Sequence, residues 1–244
     1  MESSIKEVKP KNMPTKNILT KTICLTITIL FTTSVCNAET FWSKFTNKDL
    51  GCPNIENNFS LQINDKIASP KVYTDVDIST FNDTSSHTYT KFVLGFTQGS
   101  SKLSSKLKFK YIKKNNKYCV WLNDIELNFE IDKLDVYIPS DFKNNSCKYK
   151  EIEKHEFEHV NIHKKTFHEY LNKLKELFKN YENKKDDAIL VKQIETAKEI
   201  YQEELNSILE KFQNDYHKEL NKRQQQIDTE ENYKEIASRC KKWL

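Results

Sequence analysis

An α+β fold, with an N-terminal antiparallel β-sheet followed by a long antiparallel helical hairpin, is what the sequence predicts. Three observations predict it. Apolar residues alternate at period two through residues 41–140. They recur every three or four positions through residues 147–240. A short polar break, Glu182-Asn-Lys-Lys-Asp-Asp187, divides the second half in two. Period two marks strands with one buried face, and a period near 3.6 marks amphipathic helices. Only 3 Gly and 5 Pro stand in 244 residues, which excludes collagen-like and low-complexity chains. The 14 Phe and 11 Tyr suffice to build a core although 30% of the residues are charged.

The first element is a targeting segment. Lys6, Lys9, Lys11, Lys16 and Lys21 form a basic stretch, and the uncharged run TICLTITILFTTSV follows from Thr22 to Val35. Cys36-Asn37-Ala38 then puts small residues where a signal peptidase requires them. Residues 1–38 therefore read as a secretory signal peptide cleaved after Ala38. The apolar run falls short of the roughly 20 residues a membrane span needs. An uncleaved anchor and a lipoprotein both fit less well, since Val35 is too large to precede a lipidated Cys36. The expected location is periplasmic or secreted, with residues 39–244 as a single domain and no further span. The five lysines account for most of the net charge of +4. What remains is nearly neutral and offers no electrostatic case for nucleic acid.

Strands are expected at Phe59–Ile63, Tyr89–Phe96, Leu107–Tyr111 and Ile125–Ile131, within a sheet of about four to six. Asn115-Asn116 between Tyr111 and Tyr118 reads as a hairpin turn. The first helix carries the stripe Ile152, His155, His159, His163, Phe167, Tyr170, Leu174, Leu177 and Tyr181, with Ser146 as its cap. The second carries Leu190, Ile194, Ala197, Tyr201, Leu205, Ile208, Phe212, Tyr216 and Leu220. A short break between them implies an antiparallel hairpin. One continuous coiled-coil helix is the alternative that the polar break weakens.

Cys24 and Cys36 leave with the signal, and Cys52, Cys119, Cys147 and Cys240 remain. An even number in an oxidising compartment suggests two disulfides. Antiparallel helices bring the ends bearing Cys147 and Cys240 together, so the expected pairs are Cys147–Cys240 and Cys52–Cys119.

The sharpest chemical signal is His155-Glu156-Phe157-Glu158-His159. A helix sets residues i and i+4 on one face, so two imidazoles can converge on one ion. Zinc accepts His nitrogens, and Glu156 beside them can act as general base towards a water. The competing reading is a pair of core histidines hydrogen-bonded against the second helix. A third ligand is needed. His163 lies about 12 Å along the axis from His155, too far for one ion on a straight helix. The metzincin spacing is excluded, because Ile162 and Lys165 occupy its Gly and His positions. A hairpin turning near residue 184 brings residues 209–213 level with the two histidines. The candidates rank His217, then Glu210, then His163. Tyr216 reads as a core aromatic, and His87 and His168 as surface residues.

This motif on a helix, behind a β-rich half and a signal peptide, resembles the zincin metallopeptidases. It is most similar to bacterial families of unknown function classed as secreted zinc-dependent proteases. The resemblance implies one Zn2+, Glu156 as base, and a protein or peptide substrate. The tail from Gln226 to Tyr233, with Ser238-Arg-Cys240, has the look of a family signature to which no chemical role attaches. A clear second motif of the gluzincin kind is missing. The competing function is a non-enzymatic exported protein whose helical hairpin is an interaction arm.

Overall fold

A computed structural model describes residues 51–53, 55, 59–77, 94–142, 144, 146–179 and 188–241. Residues 1–38, read as a signal peptide, the polar break at 182–187, His87, Tyr181 and most of the strand expected at Tyr89–Phe96 lie outside the described residues.

Five strands and three helices follow in the described residues: β1 Ser60–Ile67, β2 Lys71–Tyr73, β3 Phe96–Lys114, β4 Lys117–Tyr137, α1 Cys147–Lys179, β5 Ile189–Val191, α2 Ile194–Ile227 and α3 Glu230–Ser238. The strand β4 is the spine. Along one edge it pairs antiparallel with β3 from end to end. Its other edge takes three short strands in turn: β5 at Tyr118–Val120, β1 at Asp124–Ile131 and β2 at Asp135–Tyr137. The β3–β4 turn is Asn115-Asn116, with φ of 47° and 61°. A two-residue hairpin turn with both φ positive matches the right-handed twist of its strands, and Asn tolerates that conformation.

The sheet corrects the sequence expectation. It is not antiparallel: β1 and β2 run parallel to β4. Alternation reports which face of a strand is buried, and it carries no information about the direction of the neighbour. The helical hairpin is corrected too. The two long helices are not joined by the polar break alone, because β5 comes between them and returns to the sheet. Leu190, read as the first residue of the second stripe, belongs to that strand.

The helices cover one face of the sheet. Ile125, Leu127, Phe129 and Ile131 of β4 point into this layer and are almost wholly buried. Phe129 stacks on Phe167 at 4.3 Å and meets Tyr216 edge-on at 5.4 Å, so α1 and α2 both rest on it. Tyr216 is core, as its stripe position implied, and burial pushes its hydroxyl up to about 12. Ser146 caps α1, its hydroxyl accepting from Tyr149 N–H at 3.2 Å. Phe178, not Leu177, is the buried residue of the last turn.

Both expected disulfides form, Cys52–Cys119 with Cα atoms 5.7 Å apart and Cys147–Cys240 with 5.9 Å. No helix among the described residues is long and apolar enough to cross a membrane.

Candidate metal centre

The helix α1 comes unusually close to the start of β3, and glycine permits it. A Cβ on Gly95 would stand 2.6 Å from Glu156 Oε1 and 2.8 Å from Ile152 Cγ2. One on Gly99 would stand 2.3 Å from the His163 ring. Two of the chain's three glycines thus make room for the helix face that carries the motif. On that face His155, Glu156 and His159 are all buried.

Asp228 completes the group. It ends α2 and is followed by Thr229, whose hydroxyl accepts from Asn232 N–H at 3.2 Å and caps α3. The Asn232 amide donates back to Ile227 O at 2.6 Å. This tight corner aims Asp228 back at α1. Its Oδ1 lies 3.2 Å from His155 Nε2 and 3.0 Å from His159 Nε2, and the two ring nitrogens are 3.3 Å apart. Tyr233, one turn into α3, donates its hydroxyl to the same Oδ1 at 2.9 Å and tilts its ring against His155 at 5.2 Å.

These three sides describe the donor triangle of a small cation. Donors at about 2.0–2.1 Å from a tetrahedral ion stand about 3.3 Å from one another. Gln224 strengthens the argument. Its amide nitrogen donates to His159 O at 3.2 Å, so its amide oxygen faces His159 Nδ1 and takes that proton. Nε2 of a neutral His159 is then a bare lone pair facing a carboxylate oxygen. Two acceptors at 3.0 Å need a proton or a metal ion between them. The group His155, His159 and Asp228 can hold a metal ion.

With no ion bound, a proton on His159 answers the same need. Asp228 would be raised by burial, but the bonds from His155 and His159 hold it well below the usual carboxylate range. Burial would lower His159, yet its bond to Asp228 and the neighbouring carboxylates carry it upward. Burial pushes Glu156 up, against the opposing pull of His159, His155 and Thr97. The Thr97 hydroxyl donates to Glu156 Oε2 at 2.8 Å and so fixes the carboxylate. A cleft of about 290 Å³ opens in front of the group, and Thr97, Glu156, His159, Asp228 and Tyr233 line it.

The other sequence candidates fall elsewhere. His217 lines the cleft but is exposed, because its neighbour Tyr216 takes the inward position. Glu210 is exposed on a separate shallow depression with Lys211 and Lys218. His163 is buried at the cleft wall, one turn beyond His159, and outside the metal group. His168 is exposed. Sequence reasoning missed Asp228 because it misplaced the turn. The bonds His159–Gln224 and Tyr170–Asp215 centre the pairing of the helices near residue 192, not 184. The chain between the helices includes β5, and the level of the motif moves along α2 by about 16 residues. The signal that could have found it was the helix stop at Asp228-Thr229, with Glu230 and Glu231 behind it as a new helix start.

No family model matches the chain, and neither a curated protein nor a solved structure does.

Proposed function

We propose that the chain is an exported zinc-dependent metallopeptidase in which His155, His159 and Asp228 hold the ion and Glu156 is the general base. The observation that carries this reading is the confrontation of His159 Nε2 and Asp228 Oδ1 at 3.0 Å with a buried, raised carboxyl beside them. Two imidazoles and one carboxylate suit zinc and leave a fourth position open, as hydrolytic sites require. When bound, the ion supplies Lewis acidity towards a carbonyl and a water. The protein's own groups divide the remaining work. Glu156 accepts a proton at its carboxylate and returns it to the leaving amine. Thr97 holds that carboxylate in place. Gln224 fixes the His159 tautomer, and Tyr233 orients Asp228. The two disulfides support export, since such bonds persist in oxidising compartments.

The test is metal analysis of the purified chain together with a digest of unfolded protein and peptide libraries. Stoichiometric zinc, peptide hydrolysis, and its loss in Glu156→Gln with zinc retained are the expected results. Zinc-free protein that stays zinc-free after dialysis against the metal would sink the proposal, as would full activity in Glu156→Gln.

A further inference from the structure

We propose that the tip of the β3–β4 hairpin is a docking surface for an anionic phospholipid bilayer. Along β3, half-buried and exposed residues alternate as far as Phe109. From Lys110 to Lys114 every residue is exposed. Consecutive strand residues face opposite sides, so β3 is open on both of its sides here, while Cys119, Val120 and Trp121 across from it on β4 are buried. Tyr111 and Ile112 stand there at 56% and 42% exposure, two of the four large apolar side chains that the described residues leave open. The rigid Asn115-Asn116 turn closes the tip.

Among the described residues the charge on this tip is unmatched, in contrast to the rest of the strand. Lys102, Lys106 and Lys108 of β3 sit across from Glu130, Glu126 and Asp124 of β4. That outer face is a ladder of opposite charges. The stretch from Phe109 to Leu122 holds Lys110, Lys113, Lys114 and Lys117 and no acidic residue. Their cross-strand partners are Trp121, Tyr118 and one another. Lys192 comes next after Val191, which pairs with Tyr118, and so adds a fifth ammonium on that side. Lys114 donates to the Gly51 carbonyl, which binds its proton without cancelling its charge. Among the described residues none of these lysines has an ion-pair partner.

Lysines near an anionic bilayer each add roughly fivefold to partitioning, and a Tyr beside an aliphatic residue suits the head-group layer. Five exposed residues at about 3.3 Å each give an open strand edge of roughly 15 Å to meet that layer. A rod-like polyanion is the poorer fit. It would want a basic track along the strand, where the charges are instead paired, and the tip has no Arg to grip phosphates in two places. Tyr111 lies twelve residues from Gly99, so the tip and the cleft are towards opposite ends of β3. Nothing here depends on the metal reading.

Flotation of the full chain with vesicles tests it, using phosphatidylglycerol in phosphatidylcholine against phosphatidylcholine alone. The N-terminal apolar segment is common to all variants, so differences between them isolate the tip. Wild type is expected to partition more strongly into the anionic vesicles, and less so as salt is raised. Replacing Lys110, Lys113, Lys114 and Lys117 by Gln should cut that partitioning roughly 600-fold. The pair Tyr111→Ser and Ile112→Ser should cut it about tenfold. All of these side chains are exposed, and unchanged near-ultraviolet dichroism verifies the fold. Equal partitioning of wild type and the lysine variant overturns the proposal. So does binding to heparin that matches binding to vesicles and ignores the change at Tyr111 and Ile112, since the partner is then a polyanion.

Discussion

Asp228 and Tyr233 share one oxygen's work: the phenol of Tyr233 donates to Asp228 Oδ1 at 2.9 Å while that oxygen faces both histidines. The carboxylate is therefore held in aim before any ion arrives. Asp228→Ala removes a donor and should abolish stoichiometric zinc at micromolar free metal. Tyr233→Phe removes only the orienting bond, and losses of such partners typically cost about 10–100-fold in metal affinity. Competition titration against a chromophoric chelator measures both. Equal affinity in Tyr233→Phe and wild type would show that the phenol does not support the site.

The difference between what the chain disclosed and what it hid follows a physical line. His155, Glu156 and His159 were legible because four residues make one helical turn, and no distant information is needed to place them together. The disulfides were legible because the helices run in opposite directions, which brings Cys147 and Cys240 to one end. Asp228 was hidden because its position depends on β5, a three-residue strand too short to leave a periodic signal. The parallel pairing of β1 was hidden because alternation is blind to direction. Gly95 and Gly99 were hidden as well. A glycine gives no pattern until the helix that needs its missing Cβ is in place.

That close approach makes Gly95→Ala an informative substitution. The added methyl meets Glu156 Oε1 at 2.6 Å and Glu156 Cγ at 2.9 Å, while His155, His159 and Asp228 supply none of its three nearest atoms. The carboxylate must swing off Thr97. Overpacking of this kind costs about 1–3 kcal/mol of stability. Zinc content should stay stoichiometric while hydrolysis falls about 100-fold, as expected when a general base is displaced. A parallel loss of zinc and activity would place the damage in the fold instead.

The two disulfides should differ in what they protect. Cys147–Cys240 ties the start of α1 to the end of the segment that carries Asp228 and Tyr233. Arg239 and Glu151 reinforce the same joint at 2.8 Å. Cys52–Cys119 anchors the chain before β1 to β4, away from the metal group. Closing loops of these lengths limits the unfolded chain by about 4–5 kcal/mol each on the entropic model. Paired Ser substitutions at either disulfide should therefore lower the urea midpoint to a similar degree. Zinc affinity should fall only in Cys147→Ser with Cys240→Ser, because there the clasp over the ion is loosened. Equal loss of affinity in both would refute the clasp.

His163 supplies a pH dependence with a definite sign. Burial, and then the charges of His159 and His217, lower it to about 4. In the unfolded chain a histidine titrates near 6.5. Above that value both states hold it neutral, and its contribution is constant. Between 6.5 and 4 the unfolded state binds the proton and the folded state refuses it, so stability falls as pH falls through this window. Across the full window the loss amounts to about 3 kcal/mol, and below pH 4 it levels off. Urea unfolding of the ion-free protein between pH 7.5 and 4, with His163→Gln as the non-titrating partner, isolates this contribution from the carboxylates common to both. The two stabilities should converge as the medium is acidified, because only wild type carries the penalty. Curves that stay parallel from neutral to acid would mean that His163 is protonated within the fold, and that its place against Gly99 is not the water-poor one described.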